Sequence, residues 1–134
     1  MKQRETSRVL LHKAAQDEAV VARLLHDITF DDEIIGFHAQ QAVEKALKAW
    51  LAHLGIKYPK IHDLEALVEL LSAHGQTLPN ELADLDRLTP FATIYKYEEL
   101  PISTPFDRAE ALKLVQNVRA YVERIIGEEP AGQE

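Results

Sequence analysis

The chain has 134 residues, 46% of them hydrophobic and 28% charged, which suits a single soluble domain that buries its own core without metal or disulfide support. It has no cysteine, so disulfides, thiolate metal sites and cysteine nucleophiles are excluded. The formal charge of −7 disfavours non-specific attachment to a phosphate backbone, and no apolar run approaches the ~20 residues that cross a bilayer.

Leu, Ala, Glu and Lys dominate, and five helical segments can be drawn in chain order. The first is expected from near Ser7 to Ile28. Leu11, Ala14, Ala15, Val21, Ala22, Leu25 and Ile28 form its apolar stripe, with Glu18 as the one polar member. The second follows the acidic pair Asp31 and Asp32, which suit a helix start through capping and the dipole, and runs to Leu54 before Gly55. Ile35, Ala39, Ala42, Val43, Ala46, Trp50 and Leu54 mark its apolar face, while Gln41, Glu44, Lys45 and Lys48 mark the opposite edge. At 1.5 Å per residue each of these helices would span roughly 33 Å, long enough to form the antiparallel body of a bundle.

A third, shorter helix is expected after His62 and Asp63, with Leu64, Leu67, Val68 and Leu71 inward and an end at His74-Gly75. A fourth opens after Pro79-Asn80, carries Leu82, Leu85 and Leu88, and is kinked or ended by Pro90. For the last, Thr104 is the N-cap candidate, Pro105 the first helical residue and Asp107 the completion of a capping-box-like spacing. Leu112, Val115, Arg119, Val122 and Ile126 then lead to Gly127. No strand is expected. The reading is an all-α, up-down bundle of about five helices, one domain over residues 1–127 with a loose tail at 128–134. The N-terminus lacks the apolar core of a signal peptide, so a cytoplasmic location is expected.

Metal chemistry finds little support. No Glu has His three positions later, as di-iron bundles require, and there is no H-E-x-x-H. Neither a G-x-G-x-x-G nor a Walker-type loop is present, so any nucleotide would be held by side chains or helix ends. No metal site and no cofactor are expected. One charge feature stands out: Lys45, Lys48, Lys57 and Lys60 share a stretch, residues 45–62, that contains no carboxylate. Such a patch on an acidic protein can hold a phosphate, or it can be a solvated helix face. The pair Glu44 and Lys48 is fully accounted for by i, i+4 helix stabilisation, and Asp63 by capping. The adjacent glutamines Gln40 and Gln41 are not explained in that way.

The run QQAVEKALKA, residues 40–49, followed by HDL at 62–64, resembles the signature of the HEPN domain family of small helical nucleotide-binding proteins. The resemblance extends over roughly Leu10 to Val122 and is strongest from Phe37 to Leu71. It implies an up-down helical bundle and, commonly, a homodimer. Ribonucleases of the family place an Arg, four to six residues and then a His near the end of the fourth helix. Arg supplies charge stabilisation there and His moves the 2′-hydroxyl proton. Here Arg87 is the only arginine in that region and no His follows it; Arg4 and Arg8 before His12, and Arg23 before His26, miss the spacing and lie on another helix. At the corresponding place the chain reads FATIYKYEEL, residues 91–100. It is similar to family members with a basic-aromatic pair there, which would match Lys96 and Tyr97. Lys replaces Arg and lacks its bidentate fork; Tyr95 and Tyr97 equally suit packing of a loop against the bundle.

Three functions follow. The first is a non-catalytic binding module for nucleotide or RNA, homodimeric, and a partner of a minimal nucleotidyltransferase in a toxin-antitoxin-like pair. Its candidate anion-binding residues are Gln41, Lys45, Lys48, Lys57, Lys60, His62, Lys96 and Tyr97. The second is a metal-independent endoribonuclease, which would need His38 or His62 beside Lys45 or Lys96. The third is a structural dimerisation module. Trp50 and the leucines on neighbouring faces suggest more apolar surface than one short bundle covers, a further reason to expect a dimer.

Overall fold

A computed structural model of the chain describes residues 2–82, Leu85, Leu88 and residues 106–128. Among them are four α-helices, α1 (Lys2–Arg23), α2 (Asp32–His53), α3 (Leu64–Ala73) and α4 (Arg108–Glu128), with a 3-10 turn at Asn80–Leu82 and no strand. Of the expected fourth helix, the described residues include that turn, Leu85 and Leu88. Leu82, Leu85 and Leu88 are all buried, as its apolar spacing implied. Pro90, Tyr95, Lys96, Tyr97, Thr104, Pro105 and residues 129–134 lie outside the described residues.

Side-chain bonds fix how the helices run. Ser7 Oγ, near the start of α1, donates to Ala49 O near the end of α2 at 2.9 Å, and Asp17 meets His38 at 2.9 Å. These two helices are therefore antiparallel neighbours. Arg119 Nε and Nη2 donate to Glu18 at 2.6 and 3.1 Å, while Arg108 reaches back to Leu24. Helix α4 accordingly runs antiparallel to α1 and alongside α2. Trp50 and Tyr121 meet edge to face at 5.7 Å between ring centroids. Glu18 and Arg119 interrupted the apolar stripes of two helices 101 residues apart; each is the other's partner. The Glu18 carboxylate raises the Arg119 guanidinium pKa above its already high value.

The core centres on α2. Ile35, Ala39, Ala42, Val43, Ala46, Leu47, Trp50 and Leu51 are buried there against Ala14 and Val21 of α1, Leu67 and Leu71 of α3, and Val115, Val118 and Val122 of α4. Trp50 is fully covered within one chain, which removes the expectation that its face is left for a second copy. Its Nε1 has no hydrogen-bond partner among the described residues.

Local chemistry sets most helix ends. The left-handed Gly55 (φ 74°) and Gly75 (φ 78°) close α2 and α3 with the same pair of bonds. Gly55 N and Ile56 N donate to Ala52 O and Leu51 O; Gly75 N and Gln76 N donate to Ser72 O and Leu71 O. This is the double closure that only glycine accommodates without strain. Asp63 caps α3 by accepting from Glu65 N and Ala66 N. Asp31 occupies the N-cap position of α2 without a side-chain cap bond, so its contribution is to the dipole and not to capping. At α4 the cap is Asp107, whose Oδ1 accepts from Glu110 N at 3.1 Å.

The end of α1 departs from the stripe. The helix stops at Arg23, and Ile28, expected inward, is 94% exposed. Arg108 explains the early stop. Its guanidinium donates to Leu24 O, Asp27 O and Phe30 O and to Asp32 Oδ1, at 2.6–2.9 Å. Carbonyls that a longer helix would have used internally are thereby satisfied from α4.

Replacing Arg108 by Ala leaves those carbonyls without their donor and should cost about 2–3 kcal/mol. A lower urea midpoint at unchanged m-value would show it; an unchanged midpoint would reject the clamp. In the same turn, Thr29 donates to Asp27 Oδ1 through its hydroxyl and its backbone N–H. Those two bonds, with a smaller contribution from the Arg108 charge, hold the Asp27 carboxyl below the usual carboxylate range. A depressed folded value means that the associated stability is present above the unfolded pKa of about 3.9 and is lost as pH falls through the folded value. In a carboxyl-carbon NMR titration, Thr29→Val should move the Asp27 midpoint upward.

Candidate functional site

Between residues 38 and 48, α2 is buried except at His38, Gln41, Lys45 and Lys48. These follow a 3, 4, 3 spacing and so form one line along the helix. The expected opposite edge of α2 is therefore real but narrow, and Glu44 is not on it. Glu44 is 3% exposed and Gln40 is fully buried, because the connection between α2 and α3 folds back over them.

Glu44 is the hub of that connection. It accepts from Gln40 Nε2 at 3.1 Å and from Lys48 Nζ at 2.9 Å, and His62 Nδ1 lies 3.1 and 3.2 Å from its two oxygens. Gln40 Nε2 also donates to His62 O at 2.9 Å, and Gln41 Nε2 donates to Gln40 Oε1 at 3.0 Å. The Gln40 amide is thus satisfied on all sides, which explains the first of the two glutamines as structural. Lys48 also sits over the Tyr58 ring, 5.7 Å from its centroid, and burial pushes the Tyr58 phenol pKa up. One helical turn away, Asp17 of α1 is 8% exposed; it accepts from Lys45 Nζ and is met by His38 Nδ1.

The eight residues expected to hold an anion therefore separate into groups. Gln41, Lys45, Lys48 and His62 come together on the α2 line and its flank. Lys45 and Lys48, however, are ion-paired to Asp17 and Glu44. Lys57 and Lys60 are exposed on the α2–α3 connection and have no ion-pair partner among the described residues. Lys96 and Tyr97 lie outside the described residues. Sequence reasoning missed Asp17, which lies three residues after Ala14 and four before Val21 and so shares their helix face. His38 it considered only as a nuclease candidate.

Two further features bound the chemistry. No group of three metal-ligating side chains occurs among the described residues, nor any helix long and apolar enough to cross a membrane. A shallow recess of about 470 Å³ lies between the α1–α2 turn and the start of α4, lined by Leu25, His26, Asp32, Phe106 and Arg108 among others. It contains none of the expected site residues, and its guanidinium is already bound to the turn.

The Glu44 hub makes a graded prediction. Glu44→Ala strands the Gln40 amide and a largely covered Lys48 ammonium and should cost about 3 kcal/mol. His62→Ala removes a mostly exposed partner and should cost less than about 1 kcal/mol. Chemical denaturation compares the two; equal losses would mean that Glu44 is not the hub.

A model of the HEPN domain matches residues 7–125. The crystal structure of an archaeal HEPN homologue superposes with a TM-score of 0.65 at 19% identity, covering 90% of this chain and 97% of that one, which supports the fold. No curated protein matches the sequence. The match over most of its length, joined to the all-helical bundle, places the chain in the HEPN domain family.

Proposed function

We propose that this protein is a non-catalytic HEPN-type module that binds a nucleotide or short RNA, acts as a cytoplasmic homodimer, and has a minimal nucleotidyltransferase as its protein partner in a toxin-antitoxin-like pair. The observation that carries the binding reading is the anchored α2–α3 connection. Gly55 fixes one end and the His62 bonds to Glu44 and Gln40 fix the other. Between them Lys57 and Lys60, without an ion-pair partner among the described residues, are presented at little further entropic cost. The family's Arg-His spacing is missing from the whole sequence, which supports a non-catalytic role. The dimer and the nucleotidyltransferase partner rest on family membership.

One observation favours the endoribonuclease alternative: His38 and Lys45 share Asp17, the His–Lys proximity that reading required. Against it, the same carboxylate neutralises the lysine that would stabilise the transition state.

Titrating a nucleotide or short RNA at neutral pH tests the main reading. Lys57→Ala/Lys60→Ala should weaken binding and flatten its salt dependence, since each phosphate contact contributes to the slope. Lys45→Ala/Lys48→Ala should mainly lower stability. Unchanged affinity in the loop variant would remove the site, and metal-independent RNA cleavage abolished by His38→Ala would replace the reading with the nuclease.

A further inference from the structure

His38 stands on the line that α2 leaves open to solvent, and its ring is held from two sides. Nδ1 meets Asp17 Oδ1 of α1 at 2.9 Å, and the Phe37 ring meets the imidazole edge to face, 5.4 Å between centroids. The carboxylate is 8% exposed, whereas the His38 side chain is 29% exposed. In a neutral ring whose Nδ1–H points at a carboxylate, the lone pair is on Nε2. That nitrogen has no hydrogen-bond partner among the described residues.

A carboxylate so placed does two things. It fixes the tautomer and direction of the ring, and it stabilises the positive charge that the ring acquires when Nε2 forms a bond. Both make Nε2 a better nucleophile. His62 has a looser version of the arrangement. Its Nδ1 lies 3.1 and 3.2 Å from the two Glu44 oxygens, and that carboxylate also accepts from Gln40 and Lys48. His74 turns Nδ1 to the Leu70 carbonyl. His12, His26 and His53 meet no carboxylate among the described residues.

The charges around His38 suit a phosphoryl group. Lys45 Nζ donates to the second oxygen of the carboxylate that holds the ring, so the ammonium and the imidazole are close neighbours. At rest Asp17 neutralises Lys45. Once Nε2 carries a phosphoryl group, the ring is the cation that faces Asp17, and Lys45 can turn to the phosphoryl oxygens as a point charge. Other charged groups on these helices are engaged elsewhere, Glu18 with Arg119 and Lys48 with Glu44.

We infer that His38 is a modification site, its Nε2 accepting a phosphoryl group from a donor of the phosphoramidate class, which includes a phosphohistidine on another protein. In the transfer the Nε2 lone pair forms a new P–N bond while the donor's P–N bond breaks. The electron pair of the broken bond leaves with the donor nitrogen, as ammonia or a neutral imidazole. The His38 ring keeps its Nδ1–H against Asp17, so no further acid or base is consumed. Asp17 is the positioning residue. The site is separate from the loop lysines and does not depend on nucleotide binding.

Phosphoramidate itself is the probe. The full-length protein is treated with it at about pH 8, where ordinary histidines are neutral, and the labelled residues are mapped by mass spectrometry of peptides kept alkaline. His38 should be labelled first, about tenfold faster than any other histidine, the factor that a hydrogen bond to a charged group contributes. Accessibility alone predicts a different order, since His62 is 64% exposed and His12, His26 and His74 are exposed as well. Phosphorus NMR of the labelled protein should show the Nε2 isomer. Asp17→Asn should bring His38 down to the rate of the other histidines. Thermal unfolding shows whether that variant is folded; if it is not, the order of labelling in the wild-type protein decides. Labelling in order of exposure, labelling of His38 on Nδ1, no labelling of His38, or an unchanged rate in folded Asp17→Asn would overturn the site.

Discussion

Helix α2 is covered around most of its circumference, so the polar groups in its middle must find partners inside the protein. An unpaired carboxylate there would carry a desolvation penalty of several kcal/mol, and an unpaired amide about 1–3 kcal/mol. Glu44 and Gln40 meet that requirement by drawing in His62 and its carbonyl. Fixing His62 also fixes Asp63, the next residue, whose carboxylate caps α3. The position of α3, and of the lysine-bearing connection before it, thus follows from how two polar residues of α2 are satisfied.

The same logic sets the register of the other helices. Apolar burial supplies most of the driving force but is non-directional, and the small and branched aliphatics that line these faces would tolerate a slip of one turn. Directional bonds do not. Ser7 with Ala49, Asp17 with His38 and Lys45, Glu18 with Arg119, and Arg108 with the α1–α2 turn each tie a residue to a definite partner. A slip would break several at once and strand charges that are partly removed from water. Polar contacts here select among packings that the core alone would accept.

That division explains what could be read from the sequence. The two long helices, the Asp63 cap and the glycine ends at Gly55 and Gly75 were legible because capping and left-handed closure involve residues a few positions apart. The end of α1 was not, since the stripe continues on paper to Ile28 while the actual stop depends on Arg108, 84 residues from Leu24. Glu44 was placed on the surface because its i, i+4 relation to Lys48 is complete by itself; only the return of His62 buries it. The cap of α4 falls on Asp107, three positions beyond Thr104 in a sequence where either residue could begin the spacing.

The candidate site shows the same limit most sharply. A window without carboxylates looks basic in one dimension, yet the carboxylate that meets Lys45 comes from Asp17, 28 residues earlier, and the one that meets Lys48 stands just outside the window at Glu44. What the folded protein offers an anion at neutral pH is therefore reduced to the charges that no internal acid has claimed. The acids that cancel the lysines are also the groups that hold His38 and His62 through Nδ1. Structural support and charge compensation thus reside in the same two side chains. A ligand can compete with those carboxylates only by bringing comparable charge of its own.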